Sequence, residues 1–173
     1  MSPPSDDHDI FIREALRVHE GPLLRFATRL LGDPDRARDV VQETFTKLCR
    51  QPQSRVDGHA AEWLFTVCRR AALDVLRKEN RMNRFAEGQA ERLVSPEPAP
   101  AAQAEQHESC ERVLALIDRL PLHQQEVVRL KFQEGFSYQE ISAITRLSIG
   151  NVGFLLHTAL ATLRREMTRA GSA

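Results

Sequence analysis

The chain is poor in most of the residues that carry chemistry or covalent cross-links. Among 173 residues there are three cysteines, one tryptophan and one tyrosine, and the formal net charge is zero. Cys49, Cys68 and Cys110 are odd in number and unpatterned, which excludes a disulfide framework and points to a reduced, cytoplasmic setting. No apolar run approaches the ~18 residues needed to span a bilayer, and the acidic, polar N-terminus is unlike a signal peptide. A soluble cytoplasmic protein without membrane insertion is therefore expected. Glycine-rich phosphate loops and nucleophile motifs are missing. His107-x-x-Cys110 is half of a metal site with no second pair at ligand spacing. Neither a cofactor, a metal nor catalysis is expected. Alternation of the strand type is also missing, so the chain reads as all-α.

Zero net charge hides an uneven distribution. Residues 1–50 carry 8 basic and 9 acidic side chains, and residues 51–92 carry 8 and 6. Residues 93–111 carry no basic and 4 acidic, and residues 112–173 carry 8 and 5. The acidic stretch contains SPEPAPAAQAEQHES (95–109), with three prolines and no large apolar residue, which reads as a flexible linker. Two small helical domains follow: residues 1–85, a linker over 86–109, and residues 110–173. In the first, helices are expected from Ile10 to His19, from Pro22 to Leu31, from Pro34 to about Arg50 with Asp33 as cap, and from Ala60 to about Arg84. Residues 51–59 read as a polar loop. In the second, helices are expected over Cys110–Leu120, Leu122–Gln133, Ser137–Ile144 and Ser148 to about Met167.

Three helical faces carry candidate function. In DPDRARDVVQETFTKLCR (33–50), Ala37, Val41, Phe45 and Leu48 form the apolar stripe. Asp35, Asp39, Gln42, Glu43 and Thr46 gather opposite, either as a solvated face or as a dock for a basic helix; the pattern does not choose. In residues 59–84, Leu64, Phe65, Cys68, Ala72, Val75 and Leu76 make the core stripe. Arg69, Arg70, Arg77, Lys78, Arg81 and Arg84 make a basic surface, with Trp63 and Val67 beside it. Cations next to an aromatic suit phosphates and an unpaired base, although a solvated basic face with Trp63 in the core fits as well. The segment FSYQEISAITRLSIGNVGFLLHTALATLRR has the layout of a helix-turn-helix, or of a plain helical hairpin. Its turn is Thr145, Arg146 and Leu147, with small Ala143 at the crossing. Ile141, Ile144, Ile149, Val152, Leu156, Leu160 and Leu163 are its expected core, and His157 a structural residue at the core's edge.

The order GPLLRFATRLLGDPDRARDVVQETFTKL, EWLFTVCRRAALDVLRK, linker, LPLHQQEVVRLKFQEGFSYQEISAITRLSIGNV resembles the extracytoplasmic-function (ECF) sigma factors of bacterial RNA polymerase. The resemblance covers about residues 10–84 and 110–166. It implies that Asp35, Asp39, Gln42, Glu43 and Thr46 dock on the clamp coiled coil of the polymerase's largest subunit, with the flap as a further contact. It implies that Trp63 and the Arg69–Arg84 face open and hold the upstream promoter element, that loop 51–59 captures a flipped base, and that the C-terminal domain reads the −35 element. Partners would be core polymerase, double-stranded and melted promoter DNA, and an anti-sigma factor that could hold the protein at the inner membrane.

Three departures from the family pattern stand out. Arg70 replaces a frequent asparagine. In the last helix the family's G-T-V-K-S-R-L-H-R-A-R becomes Gly150-Asn151-Val152-Gly153-Phe154-Leu155-Leu156-His157-Thr158-Ala159-Leu160, and Ser148 to Thr162 holds no Lys or Arg. Asn151 suits an adenine edge, while Phe154, Leu155 and Thr158 suit thymine methyls. Thr162 and Arg165 face the same way, and Arg146, Arg164, Arg165 and the helix start at Ser148 would anchor phosphates. The rival reading makes Phe154 and Leu155 an apolar patch for an anti-sigma factor. Arg146 stands where the family favours a turn glycine, at a cost of about 1 kcal/mol if φ is positive. Two other functions stay open: a sigma-like module that sequesters an anti-sigma factor, and a stand-alone helix-turn-helix regulator.

Overall fold

The computed structural model describes residues 6–85 and 106–171, with side chains from residue 7 to 81 and from 111 to 169. These residues form seven α-helices and no strand. They belong to two compact units, one within Met1–Glu97 and the other within Pro98–Ala173. The segment expected to be a flexible linker lies mostly outside the described residues. Its last part does not: α4 starts at Gln106. Between Gln106 and Cys110 there is no Pro or Gly, and nothing opposes helix extension there.

The first unit packs α1 (Asp6–Leu31), α2 (Pro34–Cys49) and α3 (Ala60–Phe85) against one another. The break expected at Gly21-Pro22 does not occur; Pro22 sits inside α1. Proline removes one backbone hydrogen bond and costs about 3 kcal/mol in a helix interior. The apolar stripe, however, keeps its phase across it: Ile12, Ala15, Leu23, Phe26, Ala27 and Leu31 are all buried. Each buried Leu or Phe contributes roughly 1.5–3 kcal/mol, so one continuous helix wins. Gly32, at φ 67°, then ends it, its N–H bonded to the Thr28 carbonyl at 2.8 Å.

Asp33 caps α2 as expected, its carboxylate accepting from the N–H groups of Asp35 and Arg36 at 2.9 and 3.2 Å. Ala37, Val41, Phe45 and Leu48 are buried, and Val40 and Thr44 widen the stripe. From α3, Leu64, Phe65, Cys68, Ala71 and Ala72 enter the core, whereas Val75 and Leu76 are only half-buried. The rings of Phe26 and Phe65 meet at 5.2 Å. Arg36 pairs with Glu79, tying the start of α2 to the far part of α3. The segment 51–59 is more than a polar loop: Gln53–Arg55 makes a 3-10 turn and Val56 is fully buried.

In the second unit α4 (Gln106–Asp118), α5 (Leu122–Phe132), α6 (Tyr138–Thr145) and α7 (Ile149–Gly171) close around Leu130, Ile141, Ile144, Val152 and Leu156. Gly135, at φ 77°, turns the chain after α5. Ser137 and Glu140 form a reciprocal capping box on α6, and those hydrogen bonds, the backbone one first, hold the Glu140 carboxyl below its ordinary pKa. A buried cation joins α4 to α5: Arg129 is 6% exposed and donates to Asp118 Oδ1 at 2.5 Å, leaving its Nε–H without a partner. Gln125 donates to the carbonyls of Asp118 and Leu120 at the end of α4.

Two predictions follow from this packing. Removing Asp118 strands a buried charge, and a lost partner of that kind costs about 3–5 kcal/mol. Asp118→Ala should lower the stability of the second unit by that amount in urea, and Asp118→Ala with Arg129→Met should recover most of it; equal loss in both variants contradicts the assignment. Burial pushes the Cys68 thiol up to about 12, against a hydrogen bond with Thr44 that lowers it. At pH 8 iodoacetamide should modify exposed Cys49 and spare Cys68 until the protein is unfolded. Native labelling of both at one rate, read by peptide mass, disproves that.

Candidate nucleic-acid interface

On α2 the core stripe faces α1 and α3, so the opposite side is left outside. Asp35, Asp39, Gln42, Glu43 and Thr46 are all exposed there. Two of the carboxylates are engaged along their own helix: Asp35 with Arg38 at 3.0 Å and Glu43 with Lys47 at 2.7 Å. Asp39 has no ion-pair partner among the described residues. Beside this face runs an apolar groove of about 390 Å³, floored by Leu16, Leu24, Val41 and Phe45 and edged by Gln42 and Thr46. The helix pattern alone did not reveal this groove, because it forms between two helices whose register is set only on packing.

The basic surface of α3 is assembled in the same way. Arg70, Arg77, Lys78 and Arg81 are exposed, and Arg69 is half-buried. Arg77 is paired with Asp74 at 3.0 Å. Arg70, Lys78 and Arg81 make no ion pair among the described residues, so their charge is available outward. Trp63 and Val67 are half-buried: Trp63 is neither a core residue nor a fully solvated one. The side chain of Arg84 lies outside the described residues, as do those of His107 and Cys110.

The turn between α6 and α7 has the three residues the sequence suggests, shifted by one position. Thr145 still belongs to α6, and Arg146, Leu147 and Ser148 separate the helices. Arg146 adopts φ 63° and ψ 20°, the one non-glycine residue with positive φ among those described. Its N–H donates to the Ser142 carbonyl at 2.8 Å, while the Ser142 hydroxyl donates to the Leu147 carbonyl at 2.6 Å. Ser148 then caps α7, its hydroxyl accepting from the Asn151 N–H at 3.2 Å.

Residues 16–82 match the family description Sigma-70 region 2, and residues 110–163 match Sigma-70, region 4. The ECF RNA polymerase sigma factor EcfG of Rhodopseudomonas palustris is 33% identical over 144 residues, covering 82% of this chain and 77% of its own. The ECF RNA polymerase sigma factor SigL of Mycobacterium tuberculosis is 30% identical, covering 88% of this chain and 86% of its own. This chain belongs to the ECF sigma factors of RNA polymerase. The fold is also that of the sigma factor RpoE from Bartonella quintana, solved in complex with the anti-sigma factor NepR: TM-score 0.68 at 24% identity, covering 90% of this chain and 96% of that one.

For a sigma factor, α7 is unusual, and the structure corrects several expectations about it. Ile149, assigned to the core, is 49% exposed, because it precedes the first buried residue, Val152, at the rim of the unit. Ala159, not assigned, is fully buried, and Leu160 is half-buried. Ala143 is exposed; α6 instead approaches α7 at Gly153, where a Cβ would lie 3.6 Å from the Tyr138 ring. His157 is exposed rather than at the core's edge. Asn151, Phe154 and Arg165 face out as expected, but Leu155, Thr158 and Thr162 are half-buried. The Thr158 hydroxyl donates to the Phe154 carbonyl at 2.9 Å.

The sigma factor keeps an arginine where its backbone favours glycine. Left-handed φ costs an L-residue roughly 1 kcal/mol, so Arg146→Gly should stabilise the second unit by about that amount in urea denaturation. An unchanged or lowered stability would mean that the Arg146 side chain offsets its own strain.

Proposed function

We propose that this sigma factor docks on the clamp coiled coil of core polymerase through the acidic face of α2. On that reading Asp39 is the central contact, flanked by Asp35, Gln42, Glu43 and Thr46. Trp63, with Arg69, Arg70, Arg77, Lys78, Arg81 and Arg84, takes hold of the opened upstream element. Loop 51–59, anchored by Val56, presents a fixed edge beside that path. Arg146, Ser148, Asn151 and Phe154, with Arg165 further along α7, address the duplex of the −35 element, and Leu155, Thr158 and Thr162 border that contact. The protein then works in the cytoplasm with polymerase and is held inactive by an anti-sigma factor, the kind of partner that the Bartonella sigma factor is bound to. No side chain is assigned a catalytic role.

The observation that carries this reading is the segregation of unpaired charge on consecutive helices. Asp39 on α2 faces outward with no ion-pair partner among the described residues, and Arg70, Lys78 and Arg81 on α3 do the same with the opposite sign. A module that only sequestered an anti-sigma factor would need no cations beside Trp63. A stand-alone regulator would need no acidic face.

Asp39→Arg should abolish co-purification with core polymerase while leaving the helical signal and the unfolding transition unchanged, since Asp39 is exposed. Wild-type yield of the complex rules the docking face out. Arg70→Ala with Arg81→Ala should keep core binding and block strand opening, measured as permanganate reactivity of promoter thymines. Trp63→Ala should act alike once its folding is verified, because a half-buried indole carries packing energy of a few kcal/mol. Undiminished reactivity in both removes α3 from melting.

A further inference from the structure

We propose that Phe154 reads the C5-methyl group of a thymine in the major groove, next to an adenine read by Asn151. The inference rests on α7 binding duplex DNA, and it assigns the chemistry of that contact. Asn151 and Phe154 are three positions apart and therefore neighbours on one helix face. Both are exposed, Phe154 at 65%. The Asn151 side-chain amide makes no hydrogen bond among the described residues, which leaves it able to donate to and accept from an adenine edge at once. A helical aromatic leans back over the preceding turn. The residue waiting there is Gly150, where even an added Cβ would meet nothing within 4 Å.

The surroundings select DNA over a protein partner. A protein hot spot needs several large apolar side chains packed around an anchor. Around Phe154 the exposed face offers Gly150, Asn151, His157 and Thr158, all small or polar; Ile149 is five positions back, on the flank nearer the core. An isolated ring beside an unpaired amide instead matches two adjacent base edges, one with a methyl and one with a donor–acceptor pair. Charge fits as well. No cation lies between Ser148 and Thr162, so this stretch has nothing to offer phosphates, while exposed Arg146 precedes it and exposed Arg164 and Arg165 follow. Leu155 and Thr158 are less suited to the role, being half-buried, with the Thr158 hydroxyl already bonded.

The test replaces thymine by deoxyuridine, which removes the methyl and nothing else. Duplexes selected from a random library by the holoenzyme, full-length chain with core polymerase, serve as probe. Each thymine of the upstream duplex site is changed in turn. Burial of one methyl contributes about 0.8 kcal/mol, a factor of about four in binding. Wild-type holoenzyme should lose about fourfold at one thymine adjacent to the adenine that Asn151→Ala ceases to prefer. Phe154→Ala, an exposed position that should fold normally, should be indifferent to deoxyuridine there, and the slope of log affinity against log salt should not change. If every deoxyuridine is tolerated while Asn151→Ala still relaxes the adenine preference, the methyl contact is wrong and DNA reading by α7 stands. If Asn151→Ala, Phe154→Ala and Arg146→Gly all leave selection and affinity unaltered, DNA reading by α7 fails as well. A Phe154→Ala variant that keeps its deoxyuridine sensitivity but escapes its inhibitor in cells overturns the proposal in favour of an anti-sigma contact.

Discussion

An α-helix in a small bundle has one stripe to bury, and what it does with the rest of its surface is decided by that burial. In the first unit Leu23, Leu48, Leu64 and Phe65 are at most 1% exposed. Their contact fixes the rotation of each helix about its own axis. Once α2 is turned so that Val41, Phe45 and Leu48 face inward, Asp39, Gln42 and Glu43 have only one direction left. Once Leu64, Phe65, Cys68 and Ala72 are inside, Arg70 and Arg81 are held outward in the same way. The charged faces are thus aimed by apolar packing, and a core substitution such as Leu48→Ala would lose about 2–5 kcal/mol and also their alignment.

The second unit relies on the same stripe rule but adds polar devices at its helix ends. Ser137 and Ser148 cap α6 and α7, and Gln125 holds the carbonyls that end α4. Each such cap is worth about 1 kcal/mol, which matters in a unit whose core is built from single Leu, Ile and Val residues. Two features run against stability. Arg129 is a buried charge with one donor unsatisfied, and Arg146 occupies a left-handed conformation. Arg129 is understandable as a register pin, because only one placement of α4 brings Asp118 to it. The Arg146 side chain has no such partner among the described residues; its conformation is held by backbone and Ser142 hydrogen bonds of the turn.

Much of this was legible in the sequence, and the exceptions share a cause. Caps read well because Asp33, Ser137 and Ser148 act on N–H groups two or three residues away. The charged faces read well because they follow from the phase of one helix. Sequence reasoning split α1 at Gly21-Pro22, since local propensity opposes a helix there and only the contacts of Leu23, Phe26 and Ala27 with other helices outweigh it. It buried Ile149 because that residue keeps the phase of the stripe; phase does not say where a core ends along the axis. It put small Ala143 at the helix crossing, whereas the close approach belongs to Gly153 and Tyr138, which lie on different helices. The groove beside α2 and the burial of Val56 likewise depend on packing between elements.

On the proposed reading, a recognition surface with no Lys or Arg from Ser148 to Thr162 fits a sigma factor better than a free-standing regulator. Phosphate neutralisation supplies most non-specific affinity for DNA, and a protein that binds alone must carry it. A subunit delivered to the promoter by polymerase need not, because the affinity of the assembly comes from every contact made at once. Under that condition extra cations on α7 would add binding at every sequence alike and dilute discrimination. On the proposed reading Asn151 and Phe154 would contribute little to generic affinity and much to the difference between sites. On that reading the single strained Arg146, in the turn before α7, is positioned to orient the helix without tightening its hold on non-specific DNA. On this view the cations of α3 and their absence from the stretch Ser148 to Thr162 are one arrangement: the first unit grips a strand once it has opened, and the second chooses where that happens.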